Sequence, residues 1–289
     1  MKFLILAGLL FSASLALANE SIESSDFRLM SAEAHALANK YGKENVLLVY
    51  DIDNTLLAPN QDFGSDAWFS WQAGLIASGD KTNTVAADIK GLLEVLSHAY
   101  WLGSTHAVDK DAPGTFNQLA KEGFTTVVQT SRGPVSRAAT ERELARNGFE
   151  TSINPLGAHG IPEKFLPYEL AKPQLACLTA AEITAMRLGE AKKVSLQEGI
   201  FMVEGQHKGA MMKTLLCRLN RKMKAILMID DTLKNVVRMH EAMDSSADVI
   251  TIRYSKLDPE VERFEKSDKS GLTAQWQKLK AAMGEVFKD

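Results

Sequence analysis

Cysteine is scarce: Cys177 and Cys217 are the only two in 289 residues, and no Cys-x-x-Cys pair occurs. A cysteine metal centre therefore has no basis, and neither residue has surroundings suited to a nucleophile. In an oxidising compartment the two could bridge; the sequence leaves this open, because a disulfide needs Cα atoms within roughly 7 Å. Positive charge is not in excess either. With 33 Lys and Arg against 36 Asp and Glu the net charge is −3, and there is no basic block. That removes the electrostatic case for a nucleic-acid polymer as main partner and leaves small phosphorylated molecules open. After the first eighteen residues no apolar run approaches the roughly 20 residues needed to span a bilayer, so no stable membrane insertion is expected. Internal repeats are absent as well.

What is present begins with Lys2, an apolar run from Phe3 to Leu15, and Ala16-Leu17-Ala18 before Asn19-Glu20. This reads as a cleavable secretory signal over residues 1–18 with a small-x-small cleavage site. No cysteine stands at that site, so no lipid anchor is expected there. The product is expected to start near Asn19, to be exported to the periplasm or secreted, and to carry −4 once Lys2 is gone. The remaining 271 residues (289 − 18) suit one large domain, or a core with an inserted cap. Oligomeric state is not legible.

The chain is organised around Val46-Leu47-Leu48-Val49-Tyr50, followed at once by Asp51-Ile52-Asp53-Asn54-Thr55. Five apolar or β-preferring residues ending in two carboxylates read as a buried parallel strand opening onto a polar crevice. If strand geometry persists, Asp51 and Asp53 point to the same side. By itself the tetrapeptide Asp51 to Asn54 reads equally well as a capping turn. Ahead of it, residues 19 to 30 look like a polar, mobile lead-in, and 31 to 41 a short helix stopped by Gly42. A helical excursion is expected from Asp66 to about Trp101, inside a candidate cap spanning about 58–110. Its aromatics Trp68, Phe69 and Trp71 fit either cap-to-core packing or a substrate wall.

Phe124 to Gln129 reads as a second buried strand running into Thr130-Ser131-Arg132-Gly133 and a helix, a βα unit expected to pair in parallel with the first strand. Residues 149 to 153 suggest a third short strand, and a second excursion covers about 154–200. A hairpin is expected to turn at Glu198-Gly199. It delivers the chain to His207-Lys208-Gly209 and another helix. Ala225 to Ile229 followed by Asp230-Asp231 is a further strand, Val249 to Ile252 the last, and Asp258-Pro259 opens a helix with Asp as its cap. A stripe of Leu272, Trp276, Leu279, Met283 and Val286 predicts a final helix packed on the domain. The fold class expected is α/β, a Rossmann-like three-layer sandwich with a central parallel sheet and a mainly helical cap.

Four strand or hairpin ends thus carry distinct groups: two carboxylates, a hydroxyl, a lysine at a helix start, and an acidic doublet. In this order they resemble the haloacid-dehalogenase (HAD) superfamily over roughly residues 45 to 255, through Asp-x-Asp-x-Thr at 51–55 joined to three further motifs. The stretch Gly64 to Trp71 is similar to an exported bacterial branch of that superfamily. The resemblance implies a Mg²⁺-dependent, acid-phosphatase-like hydrolase acting on a small phosphorylated molecule. Asp51 would be the nucleophile forming an aspartyl-phosphate, and Asp53 the acid and then the base. Thr130, with Ser131 and Arg132 beside it, would bind the phosphoryl group, and Lys208 would offset charge on it and on Asp51. Mg²⁺ would be held by Asp51, the backbone carbonyl of Asp53 and Asp231, with Asp230 in support.

Each motif alone has a plainer reading: Thr130-Ser131 as a helix N-cap, Lys208 as a solvated charge, Asp230-Asp231 as a cap of the following helix. The resemblance depends on their coming together. Arg132 and Arg137 lie where arginine can grip a second anionic group, although Arg137 reads equally as a solvated helix charge. His240 reads as a core histidine; His207 could touch substrate but lacks the spacing partner of a metal ligand. A phosphotransferase and a non-catalytic exported binding or host-interaction protein are the alternatives. A dehalogenase needs neither Asp53 nor the acidic doublet.

Overall fold

A computed structural model describes residues 20–157 and 164–286. The expected leader, residues 1–18, and part of the second excursion lie outside the described residues. In chain order the elements are β1 (Glu20–Ser24), α1 (Leu29–Tyr41), β2 (Val46–Tyr50), β3 (Leu57–Pro59), α2 (Asp66–Ser78), α3 (Ile89–Leu102), β4 (Thr105–Ala107), α4 (Ala112–Lys121), β5 (Thr125–Thr130) and α5 (Arg137–Arg146). They continue with α6 (Ala180–Ala185), β6 (Ser195–Gln197), β7 (Ile200–Met202), α7 (Lys208–Arg218), β8 (Ala225–Asp230), α8 (Leu233–Met243), β9 (Asp248–Tyr254), α9 (Asp258–Lys266) and α10 (Ser270–Val286).

Seven strands form one sheet in the order β1-β9-β8-β2-β5-β7-β6, parallel throughout except for the β6–β7 edge hairpin. The architecture is the expected α/β three-layer, Rossmann-like sandwich. Alternation along the central strands divides the core. Val46, Leu48 and Tyr50 of β2 join Leu227 and Ile229 of β8 against α1 and α4, while Leu47 and Val49 join Ile226 and Met228 against α7 and α8. Strands covered on both faces must be apolar on both, which is why β2 and β8 are continuous hydrophobic runs. From β2 the chain goes to β5 on one side and later to β8 on the other. The crevice beyond the C-terminal end of β2 is thus a topological switch point.

Several expectations are corrected. The polar lead-in is ordered: β1 pairs in parallel with β9, Glu20 opposite Ile250 through Ser24 opposite Tyr254, and Phe27 is fully buried. An edge strand is held by main-chain pairing, so polar composition does not betray it. Residues 149 to 153 form turns rather than a strand; the chain pairs with β5 through a single bridge between Thr126 and Pro155, and β7 takes the place beside β5. The hairpin turns as expected, with φ of +47° at Glu198 and +74° at Gly199, the paired positive values of a tight two-residue hairpin turn. A Cβ on Gly199 would meet the Thr151 carbonyl oxygen at 2.3 Å. Asp258 does not cap α9; its carboxylate instead accepts from Arg253 at 2.5 Å.

The expected helical excursion consists of two helices, α2 and α3. Gly79 ends α2, and the buried Gln72 amide ties the connection through Asn83 and Val85 before the Asp88 side chain caps α3. Strands β3 and β4 pair antiparallel and close its base. Its core is completed from the far end of the chain: Phe63, Trp68, Leu92, Val95 and Leu96 cluster with Phe264 of α9 and with Leu272 and Trp276 of α10. The final helix therefore packs on the excursion.

Cys177 and Cys217 are bonded, with Cα atoms 5.9 Å apart and a sequence separation of 40. A loop of about that length implies about 4 kcal/mol of stabilisation through the unfolded chain. The Cys177→Ser/Cys217→Ser variant is expected to lose about that much in urea unfolding without reductant; an unchanged midpoint would show that the bond contributes nothing.

Candidate active site

β2 ends at Tyr50, and the chain turns immediately, with the Ile52 carbonyl accepting from the backbone N–H groups of Thr55, Leu56 and Leu57 at 3.1, 2.9 and 2.9 Å. Strand geometry does not persist to Asp53, so the two carboxylates meet different partners. Asp51, buried, receives Lys208 Nζ on Oδ1 at 2.5 Å. Asp53 is gripped through both oxygens by Arg132, Nε to Oδ2 at 3.0 Å and Nη2 to Oδ1 at 2.7 Å. Asn54 takes φ of +58°, a left-handed value asparagine tolerates, and its amide donates to Asp231 Oδ2 at 3.2 Å. Thr55 is fully buried, and its hydroxyl accepts the Asp231 N–H at 3.1 Å.

From the other side of the crevice, Lys208 opens α7. His207 caps that helix, accepting from the Ala210 N–H at 3.1 Å, while its other ring nitrogen faces Glu241 at 3.1 Å. Both nitrogens are thus committed to structure, and burial lowers the imidazole pKa. The Gln129 amide donates to the Lys208 carbonyl at 2.9 Å, and a Cβ on Gly209 would strike the Arg238 carbonyl oxygen at 1.9 Å. The lysine is fixed by β5 below it and by α8 pressed against its helix. Its ammonium also contacts Asp230 Oδ2 at 2.6 Å.

Asp230 is saturated: Oδ1 accepts the Thr232 N–H at 2.9 Å and the Asn235 amide at 3.1 Å, while Oδ2 holds the lysine. Asp231 is more open, with Asn54 on one oxygen and the Thr232 hydroxyl on the other at 3.1 Å. Asp51, Asp230 and Asp231 each bring a carboxylate oxygen within 4.8 Å of the other two. Three carboxylates therefore crowd together beside one ammonium, which bonds two of them; fully ionised, they would exceed it by two negative charges. Burial, and then the neighbouring Asp230, Asp231 and Asp53, push Asp51 well above the carboxylate range against the pull of Lys208. Burial, then Asp230 and Asp66, lift Asp231 to about 8. Lys208 is raised despite burial, held by Asp230 and Asp51, and stays a cation. An ammonium this close favours the ionised form of Asp51, so we place the surplus proton chiefly on Asp231, the least paired acid.

Thr130, at the end of β5, is fully buried; its hydroxyl accepts the Arg132 N–H at 3.1 Å, which leaves its proton free to donate. Ser131 is exposed beside it. Arg132 stacks on Tyr100 of α3, guanidinium carbon 4.0 Å from the ring centroid, and donates to Thr140 Oγ1 at 3.1 Å. Arg137 is neither a solvated charge nor a phosphate ligand: it is buried and donates to the Ser195 hydroxyl, the Ser195 carbonyl and the Ile200 carbonyl at 3.0, 3.0 and 3.1 Å, clamping the edge hairpin. His240 is half-buried, between Asp244 at 2.9 Å and Thr251 at 3.0 Å.

The contacts join Asp51, Lys208, Asp230 and Asp231, and separately Asp53 and Arg132; Thr130 accepts from the Arg132 backbone, and Ser131 lines a cavity with Asp53 and Arg132. Asn54, Asp66 and Tyr100 join them unannounced. Asn54 lay inside the signature stretch, where only its tolerance of positive φ hinted at a role. Asp66, at the head of α2, keeps one side open to solvent, yet burial in the cleft and then Asp53 and Asp230 lift it to about 6. A hollow of about 430 Å³ between Asn60 and α9 touches Asn54 but none of the four site acids.

Residues 28–287 match a family described as "Protein of unknown function (DUF2608)". The chain belongs to that family. No curated protein and no solved structure matches it. The match runs from just before α1 of the DUF2608 chain into α10, so it takes in the sheet, the excursion and the helices that complete it. No helix among its described residues is long and apolar enough to cross a membrane.

Proposed function

We propose that the DUF2608 chain is a Mg²⁺-dependent phosphomonoesterase of HAD type, exported, with α2 and α3 as its cap. The observation that carries this reading is the crowding of three acids, Asp51 and Asp230 buried and Asp231 half-buried, with a single ammonium at a switch point: fully ionised, they exceed it by two negative charges. Uncompensated buried charge is costly, and a divalent cation cancels this one. The donor set is all oxygen, which suits a hard ion such as Mg²⁺. Asp51, Asp231 and the Asp53 carbonyl would hold it, with Asp230, already saturated, steadying Lys208. Bound there, Mg²⁺ supplies positive charge against the phosphoryl oxygens.

Asp51 then attacks phosphorus as the ester P–O bond breaks, giving an aspartyl-phosphate and an alkoxide that takes its proton from Asp53. Thr130 donates to a phosphoryl oxygen, and Lys208 offsets charge on the group in transfer. Because Arg132 holds both oxygens of Asp53, one of those two bonds is exchanged when Asp53 carries a proton. Asp53 next takes a proton from water, which attacks the phosphoenzyme and frees Asp51 and inorganic phosphate. The Cys177–Cys217 bond accords with an oxidising, exported setting.

The direct test is phosphate release from a generic aryl phosphate with Mg²⁺, abolished by chelator and restored by metal; no release with any divalent ion would reject the reading. A pH dependence accompanies it. With Asp231 at about 8 in the folded chain and near 3.8 as its ordinary value, the folded state holds the extra proton between those limits. Metal-free stability therefore falls as pH rises from about 4 to 8. Bound metal displaces that proton, so the rise in Tm on adding Mg²⁺ is expected to be several degrees larger at pH 8.5 than at pH 6. Equal shifts by differential scanning calorimetry would contradict the assignment of Asp231.

A further inference from the structure

We propose that the alcohol half of the substrate is apolar: the site takes phosphomonoesters whose alcohol carries one ring or a short hydrocarbon chain and no second anionic group. The inference rests on the phosphatase reading and narrows its substrate class. A cavity of about 260 Å³ opens from Asp53, Ser131 and Arg132 toward α2 and α3. Phe69, Leu96 and Tyr100 form part of its wall, together with Ile89, Leu93 and Val135, which leave 44, 40 and 68% of their surfaces exposed. Single exposed apolar residues need no explanation, but three lining one cavity beside the candidate proton donor form a continuous unsatisfied surface. The volume lies just below the 300–1,000 Å³ range typical of small-molecule sites, which suits a compact group.

The charges around the cavity weigh against the alternatives. Its one buried cation, Arg132, is taken by both oxygens of Asp53. Lys192 is exposed at the rim, its ammonium 3.4 Å from the Glu204 carbonyl oxygen. Two carboxylates, Asp66 and Glu204, line the same space. A carboxylate or second phosphate on the leaving alcohol would meet these acids with only the solvent-exposed Lys192 ammonium at the rim to set against them, where pairing is worth little. A polyhydroxylated alcohol would bury hydroxyls against Phe69, Leu93 and Leu96 without hydrogen-bond partners, a penalty that an aryl or alkyl group does not incur. Apolar contact at roughly 25 cal/mol per Å² favours the latter.

Non-hydrolysable phosphonates separate binding from turnover. Calorimetric titration of the full Mg²⁺-loaded chain is expected to show benzylphosphonate binding at least about tenfold tighter than methylphosphonate, and phosphonoacetate no tighter than methylphosphonate. Leu93→Glu and Val135→Glu, both at exposed positions, are expected to bring the benzyl-to-methyl ratio close to one, with Tm confirming that each variant is folded. Saturable binding of all three ligands with a ratio near one, or a ratio that survives both substitutions, overturns the apolar assignment and leaves the phosphatase reading standing. Saturable binding of none of them overturns both.

Discussion

Replacing Asp51 with asparagine is expected to lower phosphomonoester turnover by at least about a thousandfold, some 4 kcal/mol of barrier, while the protein remains folded and becomes no less stable. Loss of rate follows from chemistry: an amide is not a nucleophile toward phosphorus, and no other acid of the cluster is so placed, since Asp230 is saturated by three hydrogen bonds and Asp53 by Arg132. Retention of stability follows from electrostatics. Asparagine keeps the shape of the side chain and removes a negative charge from a cluster with too many, and Lys208 keeps its 2.6 Å contact with Asp230. A variant that is inactive yet melts at or above the wild-type temperature without metal separates a catalytic Asp51 from a structural one. Phosphate release at the wild-type rate would end the nucleophile assignment.

The parts of this molecule that were readable before its structure share one property: each announces itself within a single segment. β2, β5 and β8 are interior strands covered on both faces, so burial shows as an unbroken apolar run, and the acids and hydroxyl at their ends stand out by contrast. Elements stabilised from outside their own sequence were not readable. β1 owes its existence to the main chain of β9, and β3 and β4, three residues each, to one another. The stripe on α10 declared that a partner exists but could not say that it is Leu92 and Trp68, some 180 to 200 residues earlier. The same division runs through the site. The acids, Lys208 and Thr130 were legible by residue type and position, whereas the Arg132 fork on Asp53, the Asn54 bond to Asp231 and the stacking on Tyr100 are contacts between segments. Composition left the cysteines undecided, and a 5.9 Å Cα separation decides them.

The largest stability effect expected in this protein comes from Lys208→Met. The side chain is 1% exposed, and among the described residues its ammonium is the only cation bonded to Asp51 and Asp230. Methionine fills a similar volume, so packing is largely kept and the change is electrostatic: two buried carboxylates lose their counter-charge. Removing one partner of a buried ion pair costs about 3–5 kcal/mol, against a total domain stability of about 5–15 kcal/mol. No nearby cation can substitute. Arg132 is committed to Asp53, and α7 cannot slide another residue into place because Gly209 already lies against the Arg238 backbone. The variant's deficit is expected to shrink as pH falls, because burial already raises Asp51 and, without the ammonium, it binds a proton still more tightly in the folded state than in the unfolded one. It is also expected to shrink in the double variant Lys208→Met/Asp230→Asn, which removes one of the orphaned charges, giving a coupling energy of about 1 kcal/mol or more in a double-mutant cycle. Urea unfolding at pH 7.5 without metal reads all three. A single-variant loss below about 1 kcal/mol, or a double variant that merely adds the two single losses, would mean that the acids are held by something other than this ammonium, and the charge surplus that calls for a divalent cation would have to be recounted.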